Sequence, residues 1–145
     1  MEREKVESNV KDIISADSYA AYLGAELTGI KPGWARVQLT LNDEHLNFMG
    51  LIHGGVIFSL ADVAFGAAAN SFGSRAMALS VNINFQAPAP PGDTITAEVE
   101  LISRAGKMGY YDMKVRNSGG KDIAYCSGWA YHTGKPLDSG EQGRE

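Results

Sequence analysis

From Val56 to Ala69 the chain is almost unbroken in its apolar character, interrupted only by Ser59, Asp62 and Gly66. Val56, Ile57, Leu60, Ala61, Ala64, Phe65 and Ala68 recur at i, i+3, i+4 spacing, which predicts a helix with little polar surface left over. The run is too short and too often broken by polar residues to span a membrane. It reads as a helix that other parts of the protein wrap, and this makes Asp62 conspicuous. An ionised carboxylate buried without partners is costly, so the position needs a reason.

The rest of the chain falls into elements around that helix. Val6, Val10, Ile13 and Ile14 predict an amphipathic helix up to about Ile14. Ala16–Leu23 forms a second turn or short helix, capped by Asp17 or Ser18 and stopped by Gly24. Ala25–Ile30 is a candidate strand, Lys31-Pro32-Gly33 a tight turn, and Trp34–Leu41 alternates as a strand with Val37, Leu39 and Leu41 on one face. A polar loop covers Asn42–Gly50. Beyond the helix and a break at Ser71–Ser74, Ala76–Phe85 alternates, with Leu79, Val81, Ile83 and Phe85 in step and Ser80, Asn82 and Asn84 opposite. The Pro-rich Ala87–Asp93 cannot continue a ladder. Strands follow at Thr94–Ser103, Met108–Arg116 and Ile123–His132, joined by turns at Ala105–Lys107 and Asn117–Gly120. Gly134–Glu145 carries no apolar pattern and reads as a frayed tail. Helices and a hairpin followed by several antiparallel strands predict an α+β fold: five or six strands wrapped around one helix. The outer surface of such a sheet is left underused, which points to oligomerisation.

Composition narrows the choice of function. With 145 residues, 44% hydrophobic and 21% charged, the chain reads as a single domain of ordinary globular make-up. A net charge of −4 argues against a nucleic-acid partner. One cysteine, Cys126, excludes an internal disulfide and argues against a cysteine-based zinc site. His45, His53 and His132 show no helical pairing for a metal, and no glycine pattern of a Rossmann or P-loop site is present. The opening M-E-R-E-K-V-E lacks an apolar stretch, so a cytoplasmic location is expected.

Four segments carry a resemblance: N-F-M-G-L-I-H-G-G-V-I-F-S-L-A-D-V-A-F from Asn47, S-V-N-I-N-F-Q-A-P-A-P-P-G-D from Ser80, S-R-A-G-K from Ser103, and G-W-A-Y from Gly128. Together they resemble the hot-dog-fold acyl-CoA thioesterases, in particular the phenylacetyl-CoA (PaaI-type) branch, over about Ala25 to His132. The resemblance implies hydrolysis of an acyl-CoA to a carboxylic acid and CoA, with no cofactor or metal. It also implies two-fold dimers, often paired into tetramers. It places an oxyanion donor at Gly54 and a catalytic carboxylate at Asp62, acting as nucleophile or as general base.

The residues themselves permit this chemistry. Gly54 and Gly55 open the helix, where unpaired N–H groups and the positive end of the helix dipole can polarise a thioester carbonyl, and glycine lets a ligand come close. A plain tight turn is the alternative there, and a structural aspartate the alternative at Asp62. Eight positions along a helix is roughly 12 Å, so Gly54 and Asp62 of one chain cannot act on one carbonyl. A composite site across an antiparallel dimer is therefore expected.

Asn47 matches the residue that would orient the partner's carboxylate or the attacking water. His53 either sits near the thioester or fixes the turn. Ser80 either positions water or is an ordinary strand residue, and no G-x-S-x-G elbow makes it a nucleophile. For coenzyme A, Gly55, Arg104, Lys107, Arg116 and Arg75 are the candidates, each basic residue with a solvated charge as its alternative. Phe65, Phe58 and Met49 are candidates for an acyl tunnel. A non-catalytic acyl-CoA sensor is the main rival function. A hydratase is disfavoured because Asn42-Asp43-Glu44-His45 lacks the hydratase spacing.

Overall fold

The computed structural model describes residues 5–138. Two short helices, α1 (Ser8–Ser15) and α2 (Ser18–Leu23), precede the hairpin of β1 (Glu26–Lys31) and β2 (Trp34–Thr40). A 3-10 turn at Asp43–His45 leads to the long helix α3 (Gly54–Asn70). The strands β3 (Ser74–Phe85), β4 (Thr94–Ala105), β5 (Met108–Arg116) and β6 (Asp122–Pro136) follow. All six strands form one antiparallel sheet in the order β1-β2-β4-β5-β6-β3, so β1 and β3 are its edges. This is the expected α+β architecture, a sheet curled over one helix.

The core lies between α3 and the concave face of the sheet. Leu60, Ala61, Ala64, Phe65 and Ala68 of α3 are buried against Val37, Leu39, Ile95, Val99, Met113, Val115 and Cys126. Small residues on the helix let the sheet approach closely, and alternation along each strand supplies the apolar face. Phe65 belongs to this core, 1% exposed with its ring 5.3 Å from that of Tyr111, and it also forms part of the wall of the cavity beside Asp62. Met49, by contrast, is exposed on the loop before α3, and Phe58 is half-buried.

Side-chain clamps fix both ends of α3. Asn70 bonds to the carbonyls of Gly66 (2.9 Å) and Ala76 (3.1 Å) and accepts from the Ala76 N–H (2.9 Å), tying the helix to the start of β3. Buried Ser71 accepts from the Gly33 N–H at 2.7 Å and donates to the Ala68 carbonyl at 2.7 Å. Before the helix, His45 accepts from the Asn42 N–H at 3.0 Å, and its Nε2 meets the Leu23 carbonyl at 3.2 Å. The histidine of Asn42–His45 is thus a buried post between α2 and the loop.

Two expectations are corrected here. Gly134–Pro136 belongs to β6, because Ser74 pairs with Pro136 and the Leu137 N–H reaches the Gly73 carbonyl at 3.0 Å. The rest of the expected tail, residues 139–145, lies outside the described residues. The second correction concerns α3, which is not wrapped all round. The sheet covers one side only, and Gly55, Asp62 and Gly66 are exposed along the other, with Ser59 half-buried between them. Those residues are spaced by four, three and four, which is one stripe of an α-helix.

Candidate active site

Asp62 stands in the middle of the uncovered stripe. It lines a cavity of about 300 Å³ with Asp17, Tyr19, Val63, Gly66 and Ala78 among its walls. Although Asp62 counts as exposed, the surrounding atoms strip enough water from the carboxyl to push it above the usual carboxylate range, and the nearby Asp17 carboxylate pushes the same way. A carboxyl held in this manner is the form a general base takes when tuned toward neutral pH. Asp17 is itself the cap of α2, accepting from the Ala20 N–H at 3.0 Å. Tyr19 bonds to Ser59 at 2.9 Å, so α2 is fastened directly to the stripe. Sequence reasoning missed Asp17 and Tyr19. Their only signal was a cap and an aromatic in a segment read as a short helix.

The start of α3 is built by His53. Its Nδ1 accepts from the Gly55 N–H at 2.9 Å, and its carbonyl accepts from Val56 at 3.0 Å. His53 therefore fixes the turn, and the proton of its neutral ring sits on Nε2. This leaves the Gly54 N–H as the first donor of the helix with no assigned partner among the described residues. A Cβ on Gly54 would sit 3.2 Å from the Phe85 ring, so glycine allows β3 to close over the helix start. Asn47 shapes the loop leading there: its side-chain oxygen accepts from the N–H groups of Met49 (2.9 Å) and Leu51 (3.1 Å).

The remaining candidates divide between two places. A bulge at Leu79 breaks the register between Ala78 and Ser80. Ala76 and Ala78 line the Asp62 cavity before it. After it, Val81 and Ile83 pack against the core instead. Bulges often re-aim side chains beside functional sites. Ser80 falls outside the Asp62 cavity of its own chain and lines a separate groove of about 330 Å³ with Leu79, Ala105, Met108 and Trp129.

Beside that groove lie Arg104, near the end of β4, and Lys107, in the β4–β5 turn. Arg104 donates to the Gly106 carbonyl at 3.1 Å, and Lys107 lies 5.9 Å from the centre of the Tyr131 ring. Arg75 adjoins the same end of the sheet, its carbonyl accepting from Thr133 at 2.9 Å. Arg116 sits at the far end of β5, paired with Asp122 at 2.8 Å. The four basic candidates thus do not form one cluster within a chain.

Other reactive groups are placed out of contention. Cys126 is fully buried, and burial pushes its thiol up to about 11, so it is no thiolate at neutral pH. No group of three or more His, Cys, Asp or Glu residues is placed to hold a metal among the described residues. No helix there is long and apolar enough to cross a membrane.

A six-stranded antiparallel sheet curled over one long helix, with a glycine-opened helix start and a carboxylate on the helix's uncovered face, defines a hot-dog protein of the thioesterase type. Comparison with known proteins agrees. Residues 49–124 match the model of the thioesterase superfamily, and the chain belongs to that family. The acyl-coenzyme A thioesterase PaaI of Escherichia coli is 34% identical over 130 residues, covering 90% of this chain and 93% of its own. The structure of the E. coli PaaI protein from the phenylacetic acid degradation operon superposes with a TM-score of 0.85, at 33% identity over 90% of this chain and 94% of that one. The protein smu.793 of Streptococcus mutans, solved bound to acetyl CoA, superposes with a TM-score of 0.74 at 26% identity over 78% of this chain and 91% of that one.

Proposed function

We propose that this protein is an acyl-CoA thioesterase that hydrolyses an aryl, arylacetyl or fatty acyl-CoA to a carboxylic acid and free CoA. The observation that carries this reading is Asp62: a carboxylate with a raised pKa, on the open face of α3, in a chain of the thioesterase superfamily. Asp62 takes a proton from water as the water oxygen bonds to the thioester carbon. The Gly54 N–H receives the negative charge that forms on the carbonyl oxygen. The tetrahedral intermediate then collapses, the C–S bond breaks, and the CoA sulfur leaves with the proton that Asp62 held. In the direct alternative the Asp62 carboxylate bonds to the thioester carbon, the C–S bond breaks and CoA leaves as thiolate, and water then attacks the aspartyl carbonyl of the resulting anhydride to release the acid. Solvent oxygen-18 entering the Asp62 side chain would reveal that route.

Helix geometry favours a site built from two chains. Gly54 and Asp62 stand roughly 12 Å apart along α3, so each site combines Gly54 of one subunit with Asp62 of the next. Two features support the pairing. The sheet leaves the stripe carrying Asp62 open, with α2 covering it in part through Tyr19, and the edge strand β3 leaves one side unpaired while exposing Met77, Leu79 and Phe85. A long apolar edge invites pairing with another copy. Exposed Ile102 and partly exposed Tyr125 and Trp129 favour a second contact that would join dimers into a tetramer.

In this reading Asn47 and Ser80 position the water and the partner's carboxylate, and His53 holds the turn that presents Gly54. Gly55, Arg104, Lys107 and Arg75 face coenzyme A, with Arg116 contributing only from a neighbouring subunit. No cofactor or metal takes part, and the buried free thiol of Cys126 suits the reducing cytoplasm. Thiol release from a panel of acyl-CoAs tests the proposal. The native protein is expected to release CoA and Asp62→Asn to lose nearly all activity. A native protein that binds CoA esters but releases no thiol would be a sensor instead, and equal activity in the variant would make Asp62 structural.

A further inference from the structure

The Asp62 cavity does not end at Asp62. A second cavity of about 440 Å³ lies between α1–α2 and the β1, β2 and α3 surfaces, with Ile14, Ala20, Leu27, Val37 and Ala67 among its apolar walls. Asp17, Val63 and Gly66 line both cavities, so the two adjoin and the Asp62 carboxyl lies near their junction. Their sizes lie within the range of small-molecule sites.

Gly66 stands at the passage between them. A glycine in the middle of a helix weakens it relative to alanine. Yet a Cβ at Gly66 would meet no atom within 4 Å, so nothing in the folded chain requires its absence. What a side chain there would occupy is the passage itself. The outer wall of the chamber, α2, is fastened by the Tyr19–Ser59 bond at 2.9 Å and the His45–Leu23 bond at 3.2 Å. That wall lies outside residues 49–124, which match the superfamily model.

We infer that this chamber takes the acyl group of the substrate, and that α2 and Gly66 set which acyl groups fit. The inference rests on the thioesterase reading above. A thioester carbonyl held at Asp62 must send its acyl substituent away from the sulfur. One turn further along α3, roughly 6 Å on, Gly66 opens onto the chamber. Most of the wall residues are apolar, Ser15 and Asn70 are polar, and Asp17 and Glu26 put negative charge on the lining. Uncharged acyl groups larger than acetyl, such as medium straight chains or arylacetyl groups, suit it. An acyl group ending in a second carboxylate does not.

The test compares octanoyl-, phenylacetyl-, acetyl- and glutaryl-CoA on the native protein, Gly66→Leu, and Ala21→Phe, which narrows the chamber from the exposed side of α2. The native protein is expected to prefer octanoyl and phenylacetyl. In each folded variant the octanoyl-to-acetyl ratio of kcat/KM is expected to fall by about tenfold or more, as lost apolar contacts dictate. General damage to catalysis or to assembly scales both substrates together and leaves that ratio in place. Binding of the non-hydrolysable thioethers S-octyl-CoA and S-ethyl-CoA reads the chamber without turnover, and the same fall is expected there. If the native protein hydrolyses nothing, the thioesterase reading fails while the thioether ratio still decides the chamber. An unchanged thioether and substrate ratio in every folded variant would overturn it.

Discussion

Replacing Gly54 by proline deletes one N–H and little else. Gly54 is the first residue of α3, directly after the His53 cap. Proline is favoured at that position because the N–H has no partner within the helix. The residue before a proline is confined to extended backbone, and His53 already has φ −64° and ψ 133°. The one steric neighbour is the Phe85 ring, 3.2 Å from the new Cβ, which needs to give by only a few tenths of an ångström. Stiffening the unfolded chain contributes about 0.4–1 kcal/mol, which offsets the displaced ring, so the melting temperature should stay within a few degrees of native. The effect on turnover is of another size. Losing one oxyanion donor lowers kcat about 10²–10³-fold, or roughly 3–4 kcal/mol of barrier. KM should change little, because the donor acts on charge present only in the transition state. The assay is steady-state release of CoA thiol alongside a thermal melt. A variant that melts like the native protein and keeps kcat within about threefold would refute the assignment, since single-donor losses are far larger.

Asp17→Asn keeps the α2 cap, because asparagine caps as well as aspartate, but removes a negative charge that helps raise the Asp62 pKa. Activity needs the ionised carboxylate and is lost as pH falls through its pKa. The acid limb of the kcat/KM profile should therefore move to lower pH in the variant while staying above the ordinary carboxylate range, because burial remains; a limb that moves up or stays put contradicts the coupling. Gly128→Ala would set a Cβ 2.6 Å from the Ser80 carbonyl oxygen and 3.1 Å from Met113 Cε, closer to backbone than real Cβ atoms come. Such overpacking should destabilise by about 1–3 kcal/mol in urea unfolding, and an unchanged midpoint would mean that β3 yields there at no cost. Arg104→Ala and Lys107→Ala should each raise KM for acyl-CoA several-fold and weaken its salt dependence. Arg116→Ala should do less, because Asp122 already holds that guanidinium; equal effects from all three would mean that the ends of β5 converge in the assembly.

Periodicity made most of the fold legible. The α3 run and the alternating strands each bury one face, and burial of that kind is written directly into residue order. The polar interruptions Ser59, Asp62 and Gly66 were equally visible. That they form one stripe facing away from the sheet follows from their own spacing of three and four, which the count of apolar residues does not carry. The bulge at Leu79 was not legible. Alternation from Leu79 to Phe85 runs on without a break in the sequence, and the extra residue shows only in the pairing with β6. Asp17 and Tyr19 could not be assigned to the site either, because the docking of α2 on α3 is a contact between residues some forty positions apart. The separation of Arg116 from Arg104 and Lys107 follows from strand length alone, and the nine-residue β5 places them at opposite ends.

A complementation experiment tests the central claim, a site shared between two subunits, most directly. Gly54→Pro and Asp62→Asn should each be nearly inactive alone. In a mixed dimer one composite site carries both lesions, while the other joins the intact Gly54 of one chain to the intact Asp62 of its partner. Equal mixing with free subunit exchange makes about half of the dimers mixed, so about a quarter of native thiol release should return. Mixed dimers that form, as shown by native mass spectrometry, yet recover no activity would mean that Gly54 and Asp62 do not meet across the interface and would contradict the account.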